Sequence, residues 1–172
     1  NAQSFDVIAS GVISPDGSEN ATQLLDGNSN TTHSIFYLSG ATAANWTFSC
    51  FAKQRDAGIY LQLRPYGIGA EIAWETFDLS DGSVYESGGT NLVTYASEPF
   101  GNGWHRVSIT CSSALLNSND GVQILLTDGT SGEGPLYIGD GTSGVYIYGA
   151  QLEEGHTPSS YIPTSGATVT RA

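Results

Sequence analysis

The sequence predicts an all-β chain that folds as two stacked antiparallel sheets. Apolar residues recur in short runs with two-residue alternation, the periodicity of a half-buried strand. Clusters of Gly, Asn, Asp and Ser separate the runs, and 22 of the 172 residues are glycine, so turn chemistry returns at short intervals. No window shows sustained helical spacing. About ten strands at such intervals form the pattern of a two-sheet sandwich. With no internal repeat or linker, residues 1–172 read as a single domain long enough to bury a core.

Taken in order, Phe5 to Ala9 is the first strand, followed by a turn at Pro15-Asp16-Gly17. Thr22 to Leu25 and His33 to Leu38 come next, with Asp26 to Asn30 as a loop between them. Asn45 to Lys53 sets Trp46, Phe48, Cys50 and Ala52 on its core face, opposite Thr47, Ser49, Phe51 and Lys53. In Gly58 to Arg64, Ile59, Leu61 and Leu63 point inward while Tyr60, Gln62 and Arg64 point outward. Ala70 to Leu79 follows, and the Asp81-Gly82 turn brings the chain back through Val84 and Tyr85. Alternation there puts Glu71 and Glu75 on the solvent face. It leaves Trp74 two readings, a core side chain or part of a surface platform.

Residues 87–103 read as loop-rich, with a short strand at Leu92 to Tyr95. Trp104 to Cys111 and Val122 to Thr127 are long strands, and Trp46 and Trp104 read as core. Gly144 to Glu153 closes the fold, with Val145, Ile147 and Gly149 on one face and Tyr146, Tyr148 and Ala150 on the other. In the coil after it, Pro158 and Pro163 cannot donate to a ladder. That coil is expected to lie along the surface, with Tyr161 packing it down.

The net charge is −12, and Lys53, Arg55, Arg64, Arg106 and Arg171 are the only cations. Phosphate backbones need a basic footprint, so nucleic acid and anionic membranes are not the expected partners. Nothing approaches the roughly 20 apolar residues of a membrane-spanning helix. Asn1-Ala2-Gln3-Ser4 is neither a signal peptide nor an initiator start, which suggests a chain processed or excised from a longer one. Cys50 and Cys111 read either as a bridge between the sheets or as two small buried hydrophobes.

The run Gly139 to Gly155 followed by Ser159 to Ala172 resembles the end of a concanavalin-like, jelly-roll β-sandwich. Ser14-Pro15-Asp16-Gly17 with Ala21, the Trp46 to Lys53 strand, and Gly101-Asn102-Gly103-Trp104-His105-Arg106-Val107 fit the same pattern in order. Domains of this kind occur on bacteriophage tail fibres, tailspikes and head decorations, and as carbohydrate-binding modules of secreted bacterial enzymes. The resemblance implies a non-catalytic glycan-binding or adhesion module, extracellular or on a virion surface, whose further partners would be other virion subunits or copies of itself. The alternatives are a module that targets a secreted polysaccharide-degrading enzyme, and a purely structural virion domain.

Sugars are held by aromatic rings over their C–H faces and by planar polar side chains on their hydroxyls. Tyr60, Gln62 and Arg64 in a row offer that mixture, and Arg64 adds a fork suited to a carboxylate or sulfate. Tyr66, Trp74 and Gln123 would extend the platform. The resemblance also implies a structural calcium ion where the N-terminal loop meets the last strand, with Asp16 and Glu153 as candidate ligands. Catalysis is not expected. Glu71 and Glu75 would sit about 13 Å apart along a strand, beyond the separation glycosidases use. His33, His105 and His156 lack metal-ligand spacing.

Overall fold

The computed structural model describes residues 5–9, 11–38, 45–66, 73–112 and 120–163. Among them it contains thirteen strands and no helix. The strands are β1 (Phe5–Ala9), β2 (Thr22–Asp26), β3 (Asn30–Thr31), β4 (His33–Leu38), β5 (Trp46–Gln54), β6 (Tyr60–Tyr66) and β7 (Trp74–Phe77). They continue with β8 (Val84–Gly88), β9 (Leu92–Gly101), β10 (Trp104–Cys111), β11 (Gly121–Thr127), β12 (Tyr137–Ile138) and β13 (Gly144–Glu154).

A six-stranded sheet runs β1-β2-β13-β5-β10-β9, a five-stranded sheet runs β4-β11-β6-β7-β8, and β12 pairs with β3 alone. Every pairing is antiparallel. One core draws on both large sheets. Leu24, Trp46, Phe48, Cys50, Val107, Ile109, Val145 and Ile147 come from the six-stranded sheet, and Leu61, Leu63, Phe77, Val122, Ile124 and Leu126 from the five-stranded one. Burying each of the larger chains contributes about 1.5–3 kcal/mol, which is what fixes register. A slip of one residue would turn each of these side chains out to the far face.

The outer face of the six-stranded sheet carries a second, smaller cluster. Phe51, Trp104 and Ala21 are buried there against Val12, Tyr146, Tyr148 and Tyr161. The C-terminal coil is strapped over this face, as its prolines suggested. Glu153 accepts from the Ser159 amide at 2.8 Å, Arg106 donates to the Ser159 carbonyl at 2.6 Å, and Gln151 accepts from the Ile162 amide at 2.9 Å. Tyr161 packs on Tyr148 and Phe51, with ring centroids 5.3 and 6.3 Å away. Trp46 belongs to the core between the sheets. Trp104 is equally buried but lies outside it, under the N-terminal loop.

Two expectations change. Residues 92–101 form the ten-residue edge strand β9 rather than a loop with a short strand. An edge strand with mostly exposed side chains needs no apolar face, so hydrophobic alternation does not announce it. The bridge between the sheets is also absent, since Cys50 and Cys111 are both free and buried. They lie in the same sheet on adjacent strands, Cys50 opposite Val107 and Cys111 opposite Trp46. Four positions of offset is roughly 13 Å, beyond the Cα separation a disulfide spans. Burial pushes both thiols up to about 12. A thiol reagent is therefore expected to find no reactive group in the native protein and two after denaturation without reductant. One or no thiol in the denatured chain would contradict the arrangement.

Candidate functional site

The proposed platform exists as a row on the outer face of the five-stranded sheet, but the chain covers it. Register aligns Arg64 with Gln123 and Gln62 with Thr76, so these side chains share a face, as period-two alternation required. The segment 128–136 crosses directly above them. Gln62 is only 1% exposed: its amide nitrogen donates to Thr76 Oγ1 and to the Gly132 carbonyl, and its amide oxygen accepts from the Gly134 amide. Gln123 is buried, accepts from Arg64 Nε at 2.6 Å and donates to Ser34 Oγ at 2.6 Å. Arg64 Nη1 pairs with Glu133 at 2.6 Å.

Tyr60 is half-buried and stacks on Tyr85, ring centroids 4.2 Å apart. Its hydroxyl is raised above the ordinary value, by burial first and then by Asp78 and Tyr85. Outward direction was therefore legible and exposure was not, because alternation cannot reveal a loop that folds back over a sheet. Tyr66 ends β6, and its side chain lies outside the described residues.

The strand β7 turns Glu75 inward, against expectation, and takes the outward of the two readings for Trp74. Glu75 pairs with Leu63 and Phe77 with Leu61, so both point into the core, while Trp74 and Thr76 face outward beside Gln62. Phe77 and Leu79 decide this, because both are fully buried and bring Glu75 in with them. Trp74 is buried without belonging to the core; its ring lies across Gly88, where a Cβ would come within 2.6 Å of it. Glu75 is fully buried, with neither carboxyl oxygen partnered among the described residues, and burial pushes it up to about 8. Glu71 lies outside the described residues.

The calcium ligands do not fit a metal. Asp16 accepts from Ser14 Oγ, the Ser18 amide, Asn20 Nδ2 and Tyr148 Oη. The Ser18 amide first, and then the Ser14 and Tyr148 hydroxyls, hold it well below the usual carboxylate range. Glu153 is engaged by Gln151 and Ser159 in clasping the C-terminal coil. Each carboxylate is ringed by its own N–H and O–H donors, whereas a hard cation needs free oxygens gathered together. No group of three or more His, Cys, Asp or Glu suited to a metal occurs among the described residues.

An open cleft lies elsewhere, at one end of the six-stranded sheet's outer face. It has a volume of about 510 Å³ between the Val12–Gly17 loop and the β9–β10 hairpin, with Lys53, Phe100, Asn102 and Trp104 among its walls. Trp104 Nε1 donates to the Ile13 carbonyl at 3.2 Å, which fixes the loop above the ring. Phe100 meets Phe51 edge-on, centroids 4.9 Å apart, yet stays 54% exposed. The hairpin turns through Asn102 and Gly103 with φ of 53° and 78°, left-handed at both central positions as a tight hairpin requires. Lys53 makes no ion pair among the described residues.

Hydrophobic alternation does not mark this site. The Asn102-Gly103 pair was its signal: a hairpin there makes residues 92–101 a strand and brings Phe100 back beside Trp104. A search against protein-family models returns no match for this chain, nor does a search of curated proteins. Among the described residues no helix is long and apolar enough to cross a membrane.

Proposed function

We propose that the protein is a non-catalytic glycan-binding module of the jelly-roll kind, carried on the surface of a phage virion and contacting polysaccharide. The observation that carries the reading is the cleft. Its volume falls in the range that holds small ligands, and it offers an exposed phenyl ring, a planar amide and an ammonium group on a buried aromatic floor. Rings stack on the C–H faces of a pyranose while amide and ammonium bind its hydroxyls. The acidic surface, −12 overall, favours neutral sugars except beside a cation such as Lys53, which has no ion pair among the described residues.

The test is binding to an array of immobilised polysaccharides, followed by titration of the best ligand. Phe100→Ala and Lys53→Gln are each expected to weaken binding about tenfold, near 1.4 kcal/mol, with the fold retained in both and melting unchanged in Lys53→Gln. Unaltered affinity in both variants would remove the cleft as the site. No binding to any glycan would leave a structural virion domain as the better reading.

A further inference from the structure

The segment 128–136 does more than cover the Tyr60–Arg64 row, because it makes to that row the contacts a sugar acid would make. Glu133 places a carboxylate on Arg64 Nη1. The Gly132 carbonyl and Gly134 amide take both ends of the Gln62 amide, as a pair of ring hydroxyls would. Gly129 lies on the Tyr60–Tyr85 pair, where an added Cβ would fall 3.4 Å from the Tyr60 ring and 3.1 Å from Tyr85 Oη. Gly134 lies on the guanidinium, where a Cβ would come within 2.6 Å of Arg64 Nη1.

The floor beneath is polar and fixed. Ser34, Gln62, Thr76 and Gln123 are each no more than 2% exposed, and the Ser34–Gln123–Arg64 relay spans three strands to aim one guanidinium. A plain apolar cover over an apolar face would bury the same area without desolvating four polar side chains. Orienting an arginine through buried partners is how sites for planar anions are built.

We infer that this row is a second, self-occupied glycan site for a uronic acid residue, with Glu133 as the internal stand-in for the ligand's carboxylate. The inference rests on the glycan reading for the choice of ligand. It places acidic sugars on the five-stranded sheet, apart from the open cleft. An incoming uronate would take Arg64 from Glu133, and the glycine-rich segment would lift from Gln62. Glu86, which accepts from Ser131 Oγ and the Gly132 amide, holds the middle of the segment in place while residues 133–136 move.

The probe is an oligogalacturonate, with a neutral oligosaccharide of equal length beside it. Glu133→Gln is expected to raise affinity for the oligogalacturonate at least fivefold without changing the neutral ligand. Adding Arg64→Gln in that background is expected to abolish the gain. In wild-type protein, saturating oligogalacturonate is expected to speed hydrogen exchange at the Gly134 amide, which leaves Gln62, but not at the Gly132 amide, which stays on Glu86. This readout does not depend on any variant folding. No gain in Glu133→Gln, a gain that survives Arg64→Gln, or unchanged or slower exchange at the Gly134 amide would overturn the inference. Neutral-glycan binding that persists while these arms fail would sink the covered site alone; absence of all glycan binding would sink the parent reading.

Discussion

Replacing Glu75 with leucine is expected to stabilise the protein by on the order of 4 kcal/mol at pH 9, and by much less at pH 5. The carboxyl sits in the core with neither oxygen partnered among the described residues, raised from 4.5 to about 8 by burial. In the native state it is therefore held neutral, and the folded chain binds a proton that the unfolded chain releases. Where the native state holds more protons, stability falls as pH rises. The contribution of Glu75 is fully present below about 4.5, declines from there, and is lost above about 8. Each pH unit of that interval is worth about 1.4 kcal/mol, which sets the size of the effect.

Leucine removes the ionisation and fills the same space, and Glu75→Gln separates charge from polarity. Glutamine should flatten the pH dependence while leaving an unpartnered amide, so its gain appears only on the alkaline side. For a domain of this size, 4 kcal/mol corresponds to roughly 8–16 °C in melting temperature. Melting curves of wild type and both variants at pH 5 and 9 are the measurement. A difference between wild type and Glu75→Leu that is the same at both pH values would show that Glu75 is not buried as described.

The second large effect is expected at Gly144, the first residue of β13. It pairs with Leu25, and a Cβ there would lie 1.8 Å from the Leu24 carbonyl oxygen and 2.8 Å from its carbon. Both atoms belong to the backbone of β2, so no side chain can swing aside, and β2 also carries β1 on its other edge. Gly144→Ala must pry this ribbon from the sheet. A cost of about 3 kcal/mol or more is expected, at or beyond the upper end of ordinary overpacking.

Gly17→Ala is the control. Gly17 has a φ of 87° but open space around its Cβ position, so only the left-handed backbone penalty of about 1 kcal/mol applies. Chemical denaturation of both variants measures the difference. Gly144 itself lies outside the left-handed region, so losses no larger than the control's would mean that β2 and β13 are not as close as described.

How much was legible follows from which interactions are local. The alternation in Asn45 to Lys53 and Gly58 to Arg64 named the inward side chains of β5 and β6, since each strand's two faces are set by its own pleat. The closing strand was readable as far as Tyr148. A bulge there breaks the alternation and sets Gly149 against Tyr161 on the outer face instead of beside Val145 and Ile147. The strap anchored by Tyr161 was readable from its prolines. The edge strand β9 was not, because exposed side chains on both faces erase the signal. The inward turn of Glu75 was missed, and Trp74 was left open, because Phe77 and Leu79 outweigh Trp74 only once Leu61 and Leu63 are aligned against them.

The same division governs the site. By itself the sequence determined that this is an all-β chain, which residues share a face, and that Tyr60, Gln62 and Arg64 point away from the core. Only the tertiary structure decided that residues 128–136 return over that row, that Glu75 lies inside, and that Phe100 and Lys53 meet across an open cleft. The physical reason is range. Pleat and turn chemistry act over a few residues and are written in their order, whereas cover, burial and cleft walls come from segments tens of residues apart whose meeting is fixed by sheet register and the shared core.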